Sequence, residues 1–434
     1  MVEVKPFRGI TYNTKKFNNF DNLMSPPYDI ISKMMQDQLY NNNDYNFVRL
    51  ILGKKKQDDN EISNYYTRAK EFLEKWLSEN ILVGSEENSI YPYKINYEIN
   101  NQKKIMNGFF ILLKIDKNYE KIRAHEKTLS KPKEDRLNLM RNCKANLEPI
   151  QLLYVDEKDE INKIINDKIN NPIFQIKAYD SFYHTLWKLE DKKIIEHIEK
   201  ILKNKILFIA DGHHRYQTAI NFANEMSGKY QNYNDDSPFN YRMVILVNMF
   251  DEGLSILPTH RLVKKDEIDI NKFLSKLENY FEIIEKNITN DNIINIEKKI
   301  MSDISSENKK QFVLYLKNKY YILTLKNLNL MDKVGDTHSK IWKSLDVSIL
   351  QKLIFEEILN INQENLENHV FYTRDLKEAI QFVNEEKYNF SFLMNPTKIN
   401  ELKAIAESGE HMPQKSTYFL PKMLSGLVMY KMDI

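Results

Sequence analysis

The segment Leu207-Phe208-Ile209-Ala210-Asp211-Gly212-His213-His214-Arg215-Tyr216-Gln217-Thr218-Ala219 constrains the fold more than any other part of this chain. Its first four residues read as a buried strand and Gly212 as the turn that ends it. Tyr216, Ala219, Ile220 and Ala223 then mark one face of a helix at i, i+3, i+4, i+7. A strand that passes through one glycine into a helix makes an anion cradle. Glycine lets the backbone approach a ligand closely, and the first N–H groups of a helix have no partner inside it. His213, His214 and Arg215 add side-chain donors at the same spot, so a phosphate is the expected ligand. A capped surface turn is the plainer alternative. Packing alone, however, gives no reason to gather three cationic or proton-exchanging side chains directly after the turn glycine.

Glycine usage sharpens this reading. Ten glycines in 434 residues is about a third of the usual ~7%, so each one marks a backbone need. The two nearest, Gly212 and Gly228, are too far apart for GxGxxG or for GxxxxGK[ST], which excludes both nucleotide motifs. With 42% hydrophobic and 12% aromatic residues the chain has ample material for packed cores. A net charge of +2 provides no field that would recruit nucleic acid or an anionic membrane. No apolar run reaches the ~18 residues that span a bilayer, and no charged start leads into an apolar leader. Cys143 is the only cysteine, which leaves no intrachain disulfide and no multi-cysteine zinc site; it reads as a packing residue. A cytoplasmic protein is expected.

The length predicts several lobes. Residues 1–120 read as an N-terminal α+β lobe: an edge strand at Val4 to Ile10, a helix begun by Ser32, a strand from Phe47 to Leu52, an amphipathic helix over 61–80 and a hairpin over 89–115. Residues 121–262 carry the glycine turn, with a charged helix from Glu134 and strands at Ile150 to Val155 and Met243 to Phe250. Residues 263–330 form an inserted lobe with a hairpin of Gln311 to Lys317 and Tyr320 to Lys326. Residues 331–434 complete the site, with a helix capped by Asp346 and a polar stretch around Lys415-Ser416-Thr417 before a strand.

Several corners carry chemistry. Ser25-Pro26-Pro27-Tyr28-Asp29 is a rigid turn that presents Asp29, because proline fixes its own backbone and restricts the residue before it. Asp29, Glu126 and Asp211 are the candidate bases or oxygen donors. His125-Glu126 fails as a zinc-protease helix because position 129 is Leu129. Adjacent His213 and His214 do not share a helix face, so no metal ligand set is assigned. A Mg²⁺ ion held by one or two carboxylates plus substrate phosphates stays open. His260 and Arg261, after Pro258-Thr259, and Lys415 could add anion contacts.

Pro6-Phe7-Arg8, Ser25-Pro26-Pro27-Tyr28-Asp29-Ile30-Ile31, Arg123-Ala124-His125-Glu126, Ala210-Asp211-Gly212-His213-His214-Arg215-Tyr216, Leu257-Pro258-Thr259-His260-Arg261 and His411-Met412-Pro413-Gln414-Lys415-Ser416-Thr417 together resemble the family catalogued as domain of unknown function 1015, nearly end to end. The glycine-His-Arg turn also resembles that of the ParB/sulfiredoxin superfamily, which includes free L-serine kinases. Sulfiredoxins carry a cysteine where this chain has His213, which removes sulfinic-acid repair. The helix-turn-helix and basic face of ParB partition proteins are not seen. The resemblance implies an α+β fold with a ParB/sulfiredoxin-like mixed α/β core elaborated by further α+β lobes. It also implies a kinase that moves phosphoryl from ATP or ADP, with Mg²⁺, to a small hydroxyl-bearing metabolite such as L-serine. Gly212, His213, His214, Arg215, His125, His260, Arg261 and Lys415 would bind nucleotide or substrate, and Asp29, Glu126 or Asp211 would act on the hydroxyl. A nucleotide-binding switch or scaffold without transfer is the alternative.

Overall fold

The computed structural model describes residues 1–433 apart from 100, 126–129, 231–233, 267, 289–291, 305–308 and 335–336. Glu126 therefore lies outside the described residues. The chain divides into two compact units. One comprises Met1–Ala124, Thr128–Ser255 and Pro421–Ile434; the other comprises His125–Lys127 and Ile256–Leu420.

The first unit is built on a mixed sheet that has nine strands among the described residues. Its order is Ile122–Arg123, Leu207–Asp211, Ile150–Tyr154, Tyr241–Asn248, Gln102–Lys114, Tyr91–Ile99, Tyr183–Leu186 and Phe174–Lys177, with Val4–Lys5 added against Gln102–Lys114. Leu207–Asp211 runs parallel to Ile122–Arg123, and Tyr241–Asn248 parallel to Ile150–Tyr154; the other pairings are antiparallel. Every residue of Tyr241–Asn248 is buried, as a central strand covered on both faces requires. One face packs Phe109, Ile111, Leu152, Leu207, Ile209, Val244 and Leu246 against helix Lys192–Leu202, whose Ile195, Ile198 and Leu202 form its buried stripe, and against Tyr216 and Ile220. At roughly 1.5 to 3 kcal/mol per fully buried large side chain, this cluster is what holds the glycine turn in place.

The second unit has an antiparallel sheet in the order Phe281–Asn287, Lys319–Leu325, Gln311–Leu316, Phe390–Leu393, His260–Val263 and Val370–Thr373. Helices Ile293–Asp303 and Leu376–Asn384 bury Ile296, Ile300, Leu376, Ile380 and Val383 against Val313, Tyr315, Ile322 and Leu393. Residues from both 263–330 and 331–434 thus contribute to one sheet.

The expected α+β class and both hairpins are present. Three local expectations are corrected. Phe47 to Leu52 is not a strand: Val48–Ile51 is helical, because the buried Asn46 Oδ1 accepts the Val48 N–H at 2.9 Å and the Ser25 hydroxyl at 2.8 Å, fixing a turn that a short apolar run alone does not specify. The charged helix begins at Ser130 rather than Glu134. Asp346 does not cap its helix. It is the first helical residue after Leu345, its carboxylate lies 3.4 Å from Lys310, and burial pushes it up to about 6.

One glycine shows how tightly the first unit is closed. A Cβ on Gly253 would stand 2.1 Å from the Ile105 carbonyl oxygen and 2.3 Å from the Met106 nitrogen, both backbone atoms that no rotamer change can move. Gly253→Ala is expected to cost about 3 kcal/mol, at the upper end for overpacking. Equal denaturant midpoints for variant and wild type would contradict that packing.

Candidate functional site

A β-bulge aims Asp211. Ile209 faces Leu152, but Asp211 faces Gln151, so Ala210 is the extra residue that breaks the alternation just before the turn. Gly212, at φ +96°, then caps helix His213–Lys229 with no side-chain hydrogen bond to the helix start. Glycine is needed twice over. An L-residue is strained at that φ, and its Cβ would meet the Arg215 Nε at 3.0 Å and Cζ at 3.2 Å.

Behind the turn, Asp211 sits between two cations. Its Oδ1 accepts from Lys422 Nζ at 2.5 Å and its Oδ2 from Arg215 Nη2, while Arg215 Nη1 donates to the Pro149 carbonyl. Burial pushes the Asp211 carboxyl up, but Lys422 and Arg215 outweigh it and hold the group well below the usual carboxylate range; His213 adds to the same effect. The Arg215 side chain is only 7% exposed. Arg215 is therefore directed into the protein, and both Asp211 oxygens already accept from cations.

The Glu148-Pro149 corner ties this triad to the proline turn. Glu148 Oε1 accepts from the Tyr28 N–H and from the Ser425 hydroxyl, each at 3.1 Å, and Oε2 lies 3.4 Å from Arg136 Nη1. The Glu148 carbonyl accepts from Arg242 Nη2 at 2.7 Å. Arg136 also pairs with Asp135 at 2.5 Å and stacks 3.9 Å from the centre of the Tyr28 ring. Burial pushes the Tyr28 phenol up to about 12 against the pull of Arg136 and Arg215, so it is neutral near pH 7. Ser25 and Ser425 exchange backbone hydrogen bonds at 3.1 and 2.8 Å, which anchors the Pro26-Pro27 corner. Asp29 follows in the single turn Tyr28–Ile30 and is exposed. Burial lowers the Arg215 pKa, but Asp211, Glu148 and Asp29 together raise it, which places Asp29 in the same neighbourhood.

The structure thus brings Asp29, Asp211, Gly212, His213, His214 and Arg215 together in the first unit. His125, His260, Arg261 and Lys415 form a second group within the other unit. His125 Nε2 shares a 2.9 Å hydrogen bond with Thr417 Oγ1, and the His125 carbonyl accepts from the Met412 N–H at 2.7 Å. Arg261 donates to the Thr259 carbonyl, and to that of Lys415 at 3.3 Å. Lys415 itself is exposed at φ +57°. His260 is 1% exposed, and its Nδ1 accepts from the Met394 N–H at 3.1 Å. Burial, helped by Arg261, pushes it down to about 4, so it is a neutral core histidine rather than a cationic contact. Cys143 is buried and its thiol is pushed up to about 12, consistent with packing.

Glu148, Arg136, Arg242 and Lys422 were not anticipated from the sequence. Two of them carry a usable signal: Glu148 precedes Pro149 and Lys422 follows Pro421, the same proline-flanked pattern as Asp29. Among the described residues no group of three His, Cys, Asp or Glu side chains could hold a metal ion, and no helix is long and apolar enough to cross a membrane.

A family model described as "Protein of unknown function (DUF1015)" matches residues 4–348. No curated protein matches the chain. Solved structures that match include a mutant free serine kinase in complex with ADP, at 13% identity and a TM-score of 0.37, covering 75% of this chain and 91% of that one. A conserved hypothetical protein from Pyrococcus furiosus matches at 14% identity and a TM-score of 0.33, covering 72% and 89%. SbnI with a C-terminal truncation, from Staphylococcus aureus, matches at 11% identity and a TM-score of 0.32, covering 71% and 83%.

Two titrations follow from this geometry. Asp211 is depressed on folding, so it stabilises the native state at pH values above its usual 3.8 and loses that contribution as pH falls toward its native pKa. Asp211→Asn should cost about 3 to 5 kcal/mol at pH 7, by stranding Lys422 and Arg215, and should flatten the loss of stability below pH ~4. His260 works in the other window. Between its usual 6.5 and about 4 the unfolded chain binds a proton that the native state refuses, so stability falls as pH drops through that range. Denaturant unfolding at pH 7 and pH 4.5 should show a loss of about 2 to 3 kcal/mol that His260→Gln removes; an unchanged pH slope would contradict a neutral, buried His260.

Proposed function

We propose that this chain, which belongs to the DUF1015 family, is a small-molecule kinase that takes phosphoryl from ATP or ADP to a hydroxyl-bearing metabolite, with free L-serine the first acceptor to try. The observation that carries the reading is the start of helix His213–Lys229: it is capped by Gly212 at φ +96° with no side-chain bond, and Asp29 lies exposed in its neighbourhood. A helix start of this kind offers backbone donors and the positive end of a dipole to a phosphate. In this reading His213 and His214 add donors at the ligand, while Arg215, Asp211 and Lys422 are positioning residues that set the turn from behind. Asp29 orients the acceptor hydroxyl and takes its proton, since Asp211 is committed to two cations.

Mg²⁺ fits this scheme as part of the incoming nucleotide. The Asp211 oxygens are taken, and an ion that keeps most of its water needs one or two carboxylates plus the phosphates themselves. The first unit, with its strand, glycine turn and helix, is proposed as the ParB/sulfiredoxin-like core.

The test is to incubate the protein with ATP or ADP, Mg²⁺ and L-serine, then a pool of hydroxyl metabolites, and to search for a phosphorylated product by mass spectrometry. Asp29→Asn should lower turnover by about 10²-fold with nucleotide affinity nearly unchanged, the pattern of a group that acts mainly in the transition state. Near-normal turnover in that variant would move the base elsewhere. Nucleotide binding without any phosphorylated product would favour a nucleotide-binding switch over a kinase.

A further inference from the structure

Beneath the proline turn the first unit buries more positive than negative charge. Arg136, Arg215 and Arg242 are 5%, 6% and 4% exposed, and all three line one small cavity of about 30 Å³ together with Glu148, Thr218 and Leu147. Two of the arginines have carboxylate partners: Arg136 has Asp135 and Glu148, and Arg215 has Asp211. Asp211 is shared with Lys422. Among the described residues Arg242 has no ion pair of its own. Its Nη2 donates to the Glu148 carbonyl, while Nε and Nη1 are buried without a hydrogen-bond partner.

That arrangement is unusual for a guanidinium. Arginine keeps its proton under nearly all conditions and offers five N–H donors, so leaving two donor groups unmatched in the interior is costly. Among the groups named above, the cations Arg136, Arg215, Arg242 and Lys422 face the anions Asp135, Glu148 and Asp211, of which Asp135 is 31% exposed and Asp211 20%. The side chain with open donors, Arg242, is the one of the three arginines that faces no carboxylate among the described residues. Asp29 also acts on Arg215, but from an exposed position where water screens it.

We infer that the cavity between Arg136, Arg215 and Arg242 is a binding site for a small monovalent anion of the chloride class, held chiefly by Arg242 and independent of the kinase reading. Guanidinium groups on three sides, with open donors on Arg242, select an anion. The cavity of about 30 Å³ has room for a halide in contact distance of its guanidinium lining. Charge selects the sign, because a neutral guest would leave Arg242 uncompensated. Burial and the neighbouring Arg215 lower the Arg242 pKa to about 9, which still leaves it cationic at neutral pH and in need of a counter-charge. The anion would let three guanidinium groups converge behind the glycine turn without mutual repulsion opening it.

The experiment uses the full chain at fixed ionic strength, with sodium gluconate replaced stepwise by sodium chloride or bromide. The thermal midpoint should rise with halide and then saturate, and Arg242→Met should abolish that dependence whatever its own midpoint. Lys75→Gln, on an exposed helix surface, should keep the dependence. Crystals grown in bromide should show an anomalous peak within hydrogen-bond reach of Arg242 Nη1, a readout that survives even if Arg242→Met does not fold. Equal midpoints in gluconate and chloride would overturn the inference, as would a cavity holding only water in bromide crystals. A bromide peak with no effect on the midpoint would mark an adventitious ion only, and would overturn it too.

Discussion

Asp211 between Lys422 and Arg215 is the interaction on which the rest of the site depends. It joins residues 211 positions apart in the chain and places two cations against one buried carboxylate. Lys422 and Arg215 determine the outcome: they overcome the desolvation of the carboxyl and keep it ionised. The ionised carboxylate fixes the Arg215 fork, the fork reaches the Pro149 carbonyl, and that carbonyl belongs to the corner that holds the Tyr28 N–H. A bulge, a left-handed glycine and a helix start are thereby locked into one rigid piece. Each link is short and buried, so displacing any one of them is felt at the next.

The same chain of contacts explains why arginine, and not lysine, fills three of these positions. A guanidinium is a planar fork that can satisfy a carboxylate and a carbonyl at once, as Arg215 does with Asp211 and Pro149, or pair with carboxylates while stacking on an aromatic ring, as Arg136 does with Asp135, Glu148 and Tyr28. An ammonium group has neither the reach nor the flat face for this. Lys422 is used where a single point contact to Asp211 suffices.

Much of this was legible in the sequence wherever one local rule decided the outcome. The glycine turn followed from an apolar run, a lone glycine and a 3.6-residue stripe; the hairpins at 91–114 and 311–325 followed from paired β-rich runs. Ser32 caps its helix as expected, accepting from the Met35 N–H at 3.2 Å. What could not be read was decided at a distance. The Phe47 to Leu52 run is apolar without a clear period, and its helix is set by Asn46 through a contact with Ser25. Arg215 was legible as a cation beside the glycine turn, but its inward direction depends on Asp211 and Pro149, which no spacing rule connects. His260 looked like a corner donor until a sheet strand buried it. Lys422 and Glu148 stand next to prolines, and that neighbourhood is their signal in the sequence.

The resulting division of labour has a physical logic. Groups that face a ligand at such a turn are backbone N–H donors, whose directions are set by the helix and cost no side-chain entropy on binding. Charged side chains stand behind them, where low exposure keeps their field from being screened by salt. Histidines occupy the first two helical positions. Rigidity at the turn therefore comes from ion pairs set behind it, Asp211 with Arg215 and with Lys422.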